Sequence, residues 1–102
     1  MIDTHQHLLY PDLFSYPWVG DIPALAGNFR LEEYRAASAG CGITGALFME
    51  VDAEQSAAEA RFFCELAGDA GNAILGVVAS GRPEHDGFGD YLDKIASPKL
   101  AG

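Results

Sequence analysis

Two apolar runs restrict this chain more than anything else in it. Ile43-Thr-Gly-Ala-Leu-Phe-Met-Glu-Val51 and Ala73-Ile-Leu-Gly-Val-Val-Ala79 are almost uninterrupted by polar residues. A strand with one wet face alternates; a run of this kind is expected of a strand covered on both faces, as in a parallel sheet. Between and after the runs the period changes. Ala60, Phe63, Cys64 and Ala67 form a helical stripe that stops near Gly68 and Gly71, and Phe88, Tyr91, Leu92 and Ile95 recur at i, i+3, i+4 and i+7. A further helix is predicted over Leu31 to Ala39, with Leu31, Tyr34 and Ser38 on one face. The extended start of the chain adds a third strand. The order β-loop-α-β-α-β-α implies an α/β fold of parallel neighbours joined by right-handed crossovers. Strands are expected near residues 1 to 5, 43 to 51 and 73 to 79, in sequential order with helices on one side. Both outer edges of such a sheet would be unpaired.

The ends of the helices carry their own signals. Glu32 and Glu33 favour the positive start of the first helix, Arg30 or Asn28 is its cap, and Gly40 supplies the stop. Asp52 followed by Gln55 has the spacing of a capping box, and Asp86 is placed to cap the last helix. From Leu8 to Asn28 no period is sustained, because Pro11, Pro17, Gly20, Pro23 and Gly27 break it. A loop of about 20 residues suggests function rather than mere connection. Phe14, Tyr16 and Trp18 must cover either core or a binding cleft.

With 102 residues, 49% of them hydrophobic, the chain supports one domain spanning 1 to 102. Fifteen Asp and Glu against six Lys and Arg give a formal charge of -9. Such a surface repels phosphate backbones and anionic lipid, so nucleic acid and membrane partners are not expected, and a neutral small molecule is favoured. Cys41 and Cys64 sit among apolar residues and read as buried free thiols. No secretory leader and no membrane-length apolar run is present, which points to a soluble, cytoplasmic protein.

The chemistry concentrates at the start, in Ile2-Asp3-Thr4-His5-Gln6-His7. In an extended segment Asp3, His5 and His7 share one face, and same-face neighbours lie roughly 6.5 to 7 Å apart. Two imidazoles can close that distance on one ion at about 2.0 to 2.1 Å per bond, although a zinc site takes at least three protein ligands. An unrelated surface pair has the same spacing. Ligands of parallel α/β sheets bind at the carboxyl ends of the strands, where Glu50, Asp52 and Ser80 to Glu84 also fall. Glu50 is a candidate for substrate binding, with capping or an ion pair as the structural alternative. Arg82 is a candidate for holding a substrate oxygen through its planar donor fork, or else a solvated loop residue. His85, between Glu84 and Asp86, is expected to be exposed and not to ligate.

The run from Ile2 to His7, followed by Tyr16-Pro17-Trp18, resembles the start of the amidohydrolase-2 branch of the amidohydrolase superfamily, particularly its L-fuconolactonase-like and rhamnonolactonase-like members. The resemblance extends along the chain, with Gly81-Arg82-Pro83-Glu84 as the loop after the third strand. It implies the first three units of a (β/α)8 barrel, which typically needs about 250 residues; Ser97 to Gly102 would be the approach to a fourth strand. It further implies hydrolysis of a sugar-acid lactone by activated water, with His5 and His7 as metal ligands, usually zinc, though some members need no metal. Trp18 would belong to the wall of the pocket. The general base and remaining ligands have no counterpart among these residues. A non-catalytic binding or assembly module, paired through its sheet edges into an oligomer, and a decarboxylase on the same fold are the alternative readings.

Overall fold

The computed structural model describes residues 1 to 102 throughout. Three strands, β1 (Ile2–Gln6), β2 (Gly45–Met49) and β3 (Ile74–Val78), alternate with three helices, α1 (Leu31–Ser38), α2 (Ser56–Gly68) and α3 (Phe88–Ile95). The sheet is parallel throughout, with the order β1-β2-β3. It is open rather than closed, three successive β/α units as they occur in the wall of a (β/α)8 barrel.

Its two faces differ sharply. Ala46, Phe48, Ile74 and Val77 are buried under the helices, and Phe48 stacks on Phe63 of α2 with ring centroids 3.6 Å apart. Fully burying a side chain of this size contributes about 1.5 to 3 kcal/mol, so this contact fixes where α2 lies on β2. The opposite face carries Ile2 and Leu75, both largely exposed, with Gly45 between them leaving their side chains room to meet.

Register is not uniform. Asp3 pairs with Ala46 and Gln6 with Phe48, so β1 holds one residue more than β2 over the same interval. A bulge of this kind leaves the extra residue outside the ladder and re-aims its neighbours. The strict alternation expected for Asp3, His5 and His7 therefore fails at Asp3. That residue pairs beside a buried alanine, and its Oδ2 accepts from the Tyr34 hydroxyl on α1 at 2.8 Å. Gln6 and Leu8 are buried, while His5 and His7 stay exposed. A second bulge occurs in β3, where Ile74 pairs with Ala46 but Gly76 with Leu47.

Several expected ends fall elsewhere. Asp52 does not cap α2, which begins at Ser56. Asp52 instead adopts φ +53 and gives its N–H to Oε2 of Glu50 at 2.7 Å, while the Gln55 side chain turns away to accept from Ser15 N–H. A two-residue carboxylate turn thus competes with the cap and wins. Asp86 does not cap α3 either; Gly87 stands there without a side-chain bond. Arg30 precedes α1 without capping it, and the free Leu31 N–H is taken by the Tyr10 hydroxyl, 3.2 Å away. Gly40 and Gly42 have positive φ just beyond α1, in the conformation that stops a helix. Cys64 is buried as expected; Cys41 is exposed, because it lies in the turn between those two glycines.

The outer edge of β3 is not bare. Val77 N–H donates to Lys99 O, Ala101 N–H to Val77 O and Ala79 N–H to Gly102 O, each at 2.8 Å. Residues 99 to 102 therefore run parallel beside β3 through an isolated bridge, Val77 with Leu100, as expected of the approach to a fourth strand, and β1 carries the open edge.

The long loop is mostly core. Phe14 and Tyr16 are buried, Phe14 against Phe62 of α2, and the Tyr16 hydroxyl accepts from Tyr10 N–H. Short 3-10 turns at Pro17–Asp21 and Pro23–Leu25 give the remainder its shape. Trp18 alone of the three aromatics turns outward.

Candidate functional site

Beyond the carboxyl ends of β1 and β2 lies an open cleft of about 500 Å³. His7, Trp18, Phe29, Glu50, Val51 and Asp52 surround it. Each arrives by a separate local cause. The bulge in β1 leaves His5 and His7 on the open side, their rings perpendicular with centroids 4.7 Å apart. His7 Nδ1 lies 3.0 Å from the Met49 carbonyl oxygen. A carbonyl only accepts, so this bond requires the proton on Nδ1 and leaves Nε2 as the free lone pair, the arrangement in which an orienting carbonyl prepares a metal-binding histidine. Trp18 is oriented by its indole N–H, which donates to Val51 O at 2.9 Å.

The neighbouring electrostatics are organised by Asp3. It accepts from His5 N–H at 3.0 Å and from Tyr34, and these bonds, with the nearby imidazoles, hold its carboxyl below the usual range. Burial, followed by the bond to Asp3, pushes the Tyr34 hydroxyl up to about 12. Asp3 is a carboxylate beneath the histidine pair, orienting His5 through its main chain.

The structure thus brings His7, Trp18 and Glu50 to one cleft, with His5 against His7. Glu50 is partly committed to the turn at Asp52, where its Oε2 accepts from the main chain, while the residue also lines the cleft. Arg82 does not line this cleft. It stands in an adjoining cavity with Trp18, Asp52 and Ser56, its Nη2 3.6 Å from Asp52 Oδ1. His85 is exposed.

One residue escapes a reading of the sequence. Glu59 of α2 is 1% exposed, directly behind the β2–α2 loop. Its carboxyl lies near the Val51 N–H, Oε2 has no partner, and burial, then the charge of Glu50, pushes its pKa up to about 7. The available signal was its place four residues before Phe63, on the buried stripe rather than beside it.

No protein-family model matches the sequence, and no curated protein matches it. Among solved structures the chain is similar to amidohydrolase 2 from Bifidobacterium longum subsp. infantis, with 31% identity and a TM-score of 0.66 over 79% of this chain. The chain spans about a third of that protein's length, 32%. The likeness agrees with the amidohydrolase-2 resemblance of the His-x-His start at the level of the superfamily and does not single out a lactonase.

No three of the His, Cys, Asp and Glu side chains come together as a metal site. The two imidazoles fit part of one: both rings are adjacent and one is already oriented by a carbonyl, but a further protein ligand is needed. No helix is long and apolar enough to cross a membrane.

Proposed function

We propose that this chain forms the His-x-His corner and the aromatic wall of the active site of an amidohydrolase-like hydrolase that opens sugar-acid lactones or related esters. The observation that carries the reading is the histidine pair, with perpendicular rings 4.7 Å apart at the strand end and Nδ1 of His7 spent on the Met49 carbonyl. His5 and His7 would hold a divalent metal, zinc by preference for imidazole donors, with ligands from other strands of a complete barrel. Such a metal, when bound, lowers the pKa of water and polarises a carbonyl.

The chain's own residues would then bind and orient. Trp18, fixed by its indole bond, offers a flat apolar face to a sugar ring. The free acceptor positions of Glu50 and Asp52 suit the hydroxyl donors of a neutral polyol and disfavour an anionic group in the same cleft. Lactone hydrolysis by a panel of sugar-acid lactones, with metal content measured in parallel, tests this. His5→Ala and His7→Ala should each lower the rate by roughly two orders of magnitude or more, the scale on which a positioned catalytic group is felt, with unchanged melting. Near-wild-type hydrolysis in the double variant would remove the pair from the catalytic centre.

A further inference from the structure

A third cavity, of about 280 Å³, opens beyond the carboxyl end of β3, next to the one that Arg82 and Ser56 share with Asp52. Its polar lining is Arg82, His85, Ser56 and Ser80; no carboxylate lines it. That is unexpected in a chain of formal charge -9, and it contrasts with the Glu50 and Asp52 lining of the histidine cleft. The remaining wall is aromatic. Phe88 lies against Gly81, where an added Cβ would stand 3.1 Å from its ring, and the Tyr91 hydroxyl donates to the Ser80 carbonyl. The two rings are near parallel, at 20°. The wall is thus built by close packing and a hydrogen bond.

The cation is available. Arg82 reaches Asp52 only at 3.6 Å, beyond good hydrogen-bond range, and both side chains are more than half exposed. Such a pair contributes about 0 to 1 kcal/mol; Nη1 donates to the Gly81 carbonyl at 3.2 Å, and the remaining guanidinium donors are left for a better partner. Ser56 opens α2, whose preceding residue, Gln55, makes no side-chain cap and bonds Ser15 instead. The first-turn N–H groups beside Ser56 add positive potential at the rim.

We propose that this cavity binds a carboxylate carried on a small apolar body: Arg82, His85 and the Ser56 hydroxyl take the charged end, and Phe88 with Tyr91 takes the body. The Arg fork matches a planar carboxylate, and the wall supplies the apolar area that an inorganic anion cannot use. The site adjoins the histidine cleft through the cavity that Arg82, Ser56, Trp18 and Asp52 line, but it shares no lining residue with that cleft and does not depend on hydrolysis there.

The test is titration of the purified protein with benzoate, acetate and inorganic phosphate at constant ionic strength, following the His85 ring resonances by NMR. Benzoate should saturate and bind more tightly than acetate. Arg82→Gln should weaken it by about tenfold or more, as expected for the loss of a charge-assisted hydrogen bond, and His7→Ala should leave it unchanged. Unaltered melting of Arg82→Gln, an exposed position, separates loss of binding from loss of fold. The proposal is overturned if benzoate does not saturate, if acetate or phosphate gives the same response or a stronger one, or if Arg82→Gln binds benzoate as the parent does.

Discussion

Replacing Glu59 by Gln should make the protein more stable at pH 8 while leaving it nearly unchanged at pH 4. Glu59 is 1% exposed, and burial with the nearby Glu50 charge raises its pKa from 4.5 to about 7 on folding. The sign follows from proton uptake. Because the folded state holds this proton more tightly than the unfolded chain, its stabilising effect is complete below pH 4.5, declines as pH rises, and is gone above about 7. A change of that size corresponds to a ceiling of roughly 3 kcal/mol. Allowing for relaxation and screening around the carboxyl reduces it to about 2 kcal/mol. In a domain of this size that is on the order of 8 to 16 °C in melting temperature. Gln keeps the shape and an acceptor oxygen beside Val51 and carries no charge to desolvate. Circular-dichroism melts of parent and variant from pH 4 to 8 provide the assay: the parent should lose stability across the window and the variant should not. Equal slopes for the two would refute the assignment of a buried, proton-holding carboxyl.

Asp3 acts with the opposite sign. Its pKa is lowered from 3.8, so the stability it lends is present at higher pH and lost as pH falls below that value, a fall that Asp3→Asn should abolish in acid melts. Tyr34→Phe removes the bond to Asp3 and should cost about 1 kcal/mol, read from urea midpoints. Phe48→Ala deletes the ring stacked on Phe63 and should cost about 3 to 5 kcal/mol; a cost under 1 would mean that α2 does not depend on that contact. Leu75→Lys places a charge on the exposed apolar face; if the chain self-associates through that face, sedimentation velocity should show the variant less associated than the parent, and equal association in the two would exclude Leu75 from the contact.

The sequence made the architecture legible because its signals are periodic. The runs at Ile43 to Val51 and Ala73 to Ala79 located β2 and β3 within two residues at either end, and the stripe through Ala60, Phe63 and Ala67 located the buried face of α2. What it concealed depends on partners. The bulge between Asp3 and Gln6 exists only relative to β2, so nothing within Ile2 to His7 reveals that Asp3 leaves the histidine side. Asp52 and Gln55 have the spacing of a capping box, yet Glu50 and Ser15 compete for their groups and win. For the site, the sequence placed His5, His7, Glu50 and Arg82 at strand ends but could not divide them between two cavities. That division is made by the side chain of Trp18 and the turn at Asp52, which are tertiary facts.

The pair of tyrosines in the long loop bears on where this chain tolerates remodelling. Tyr16 reaches back to the main chain of Tyr10, and Tyr10 reaches forward to the main chain of Leu31, so two hydroxyls clasp a segment that has almost no ladder of its own. Surface connections ordinarily accept inserted residues readily. Here an insertion between Tyr10 and Tyr16 would separate a donor from its acceptor inside the core and expose an unpaired buried N–H. The turn at Gly40 to Gly42, with open space around both glycines, carries no such obligation. An engineer seeking a place for a tag, a label or a grafted epitope would find it beside that turn, and would leave the longest loop of the molecule untouched.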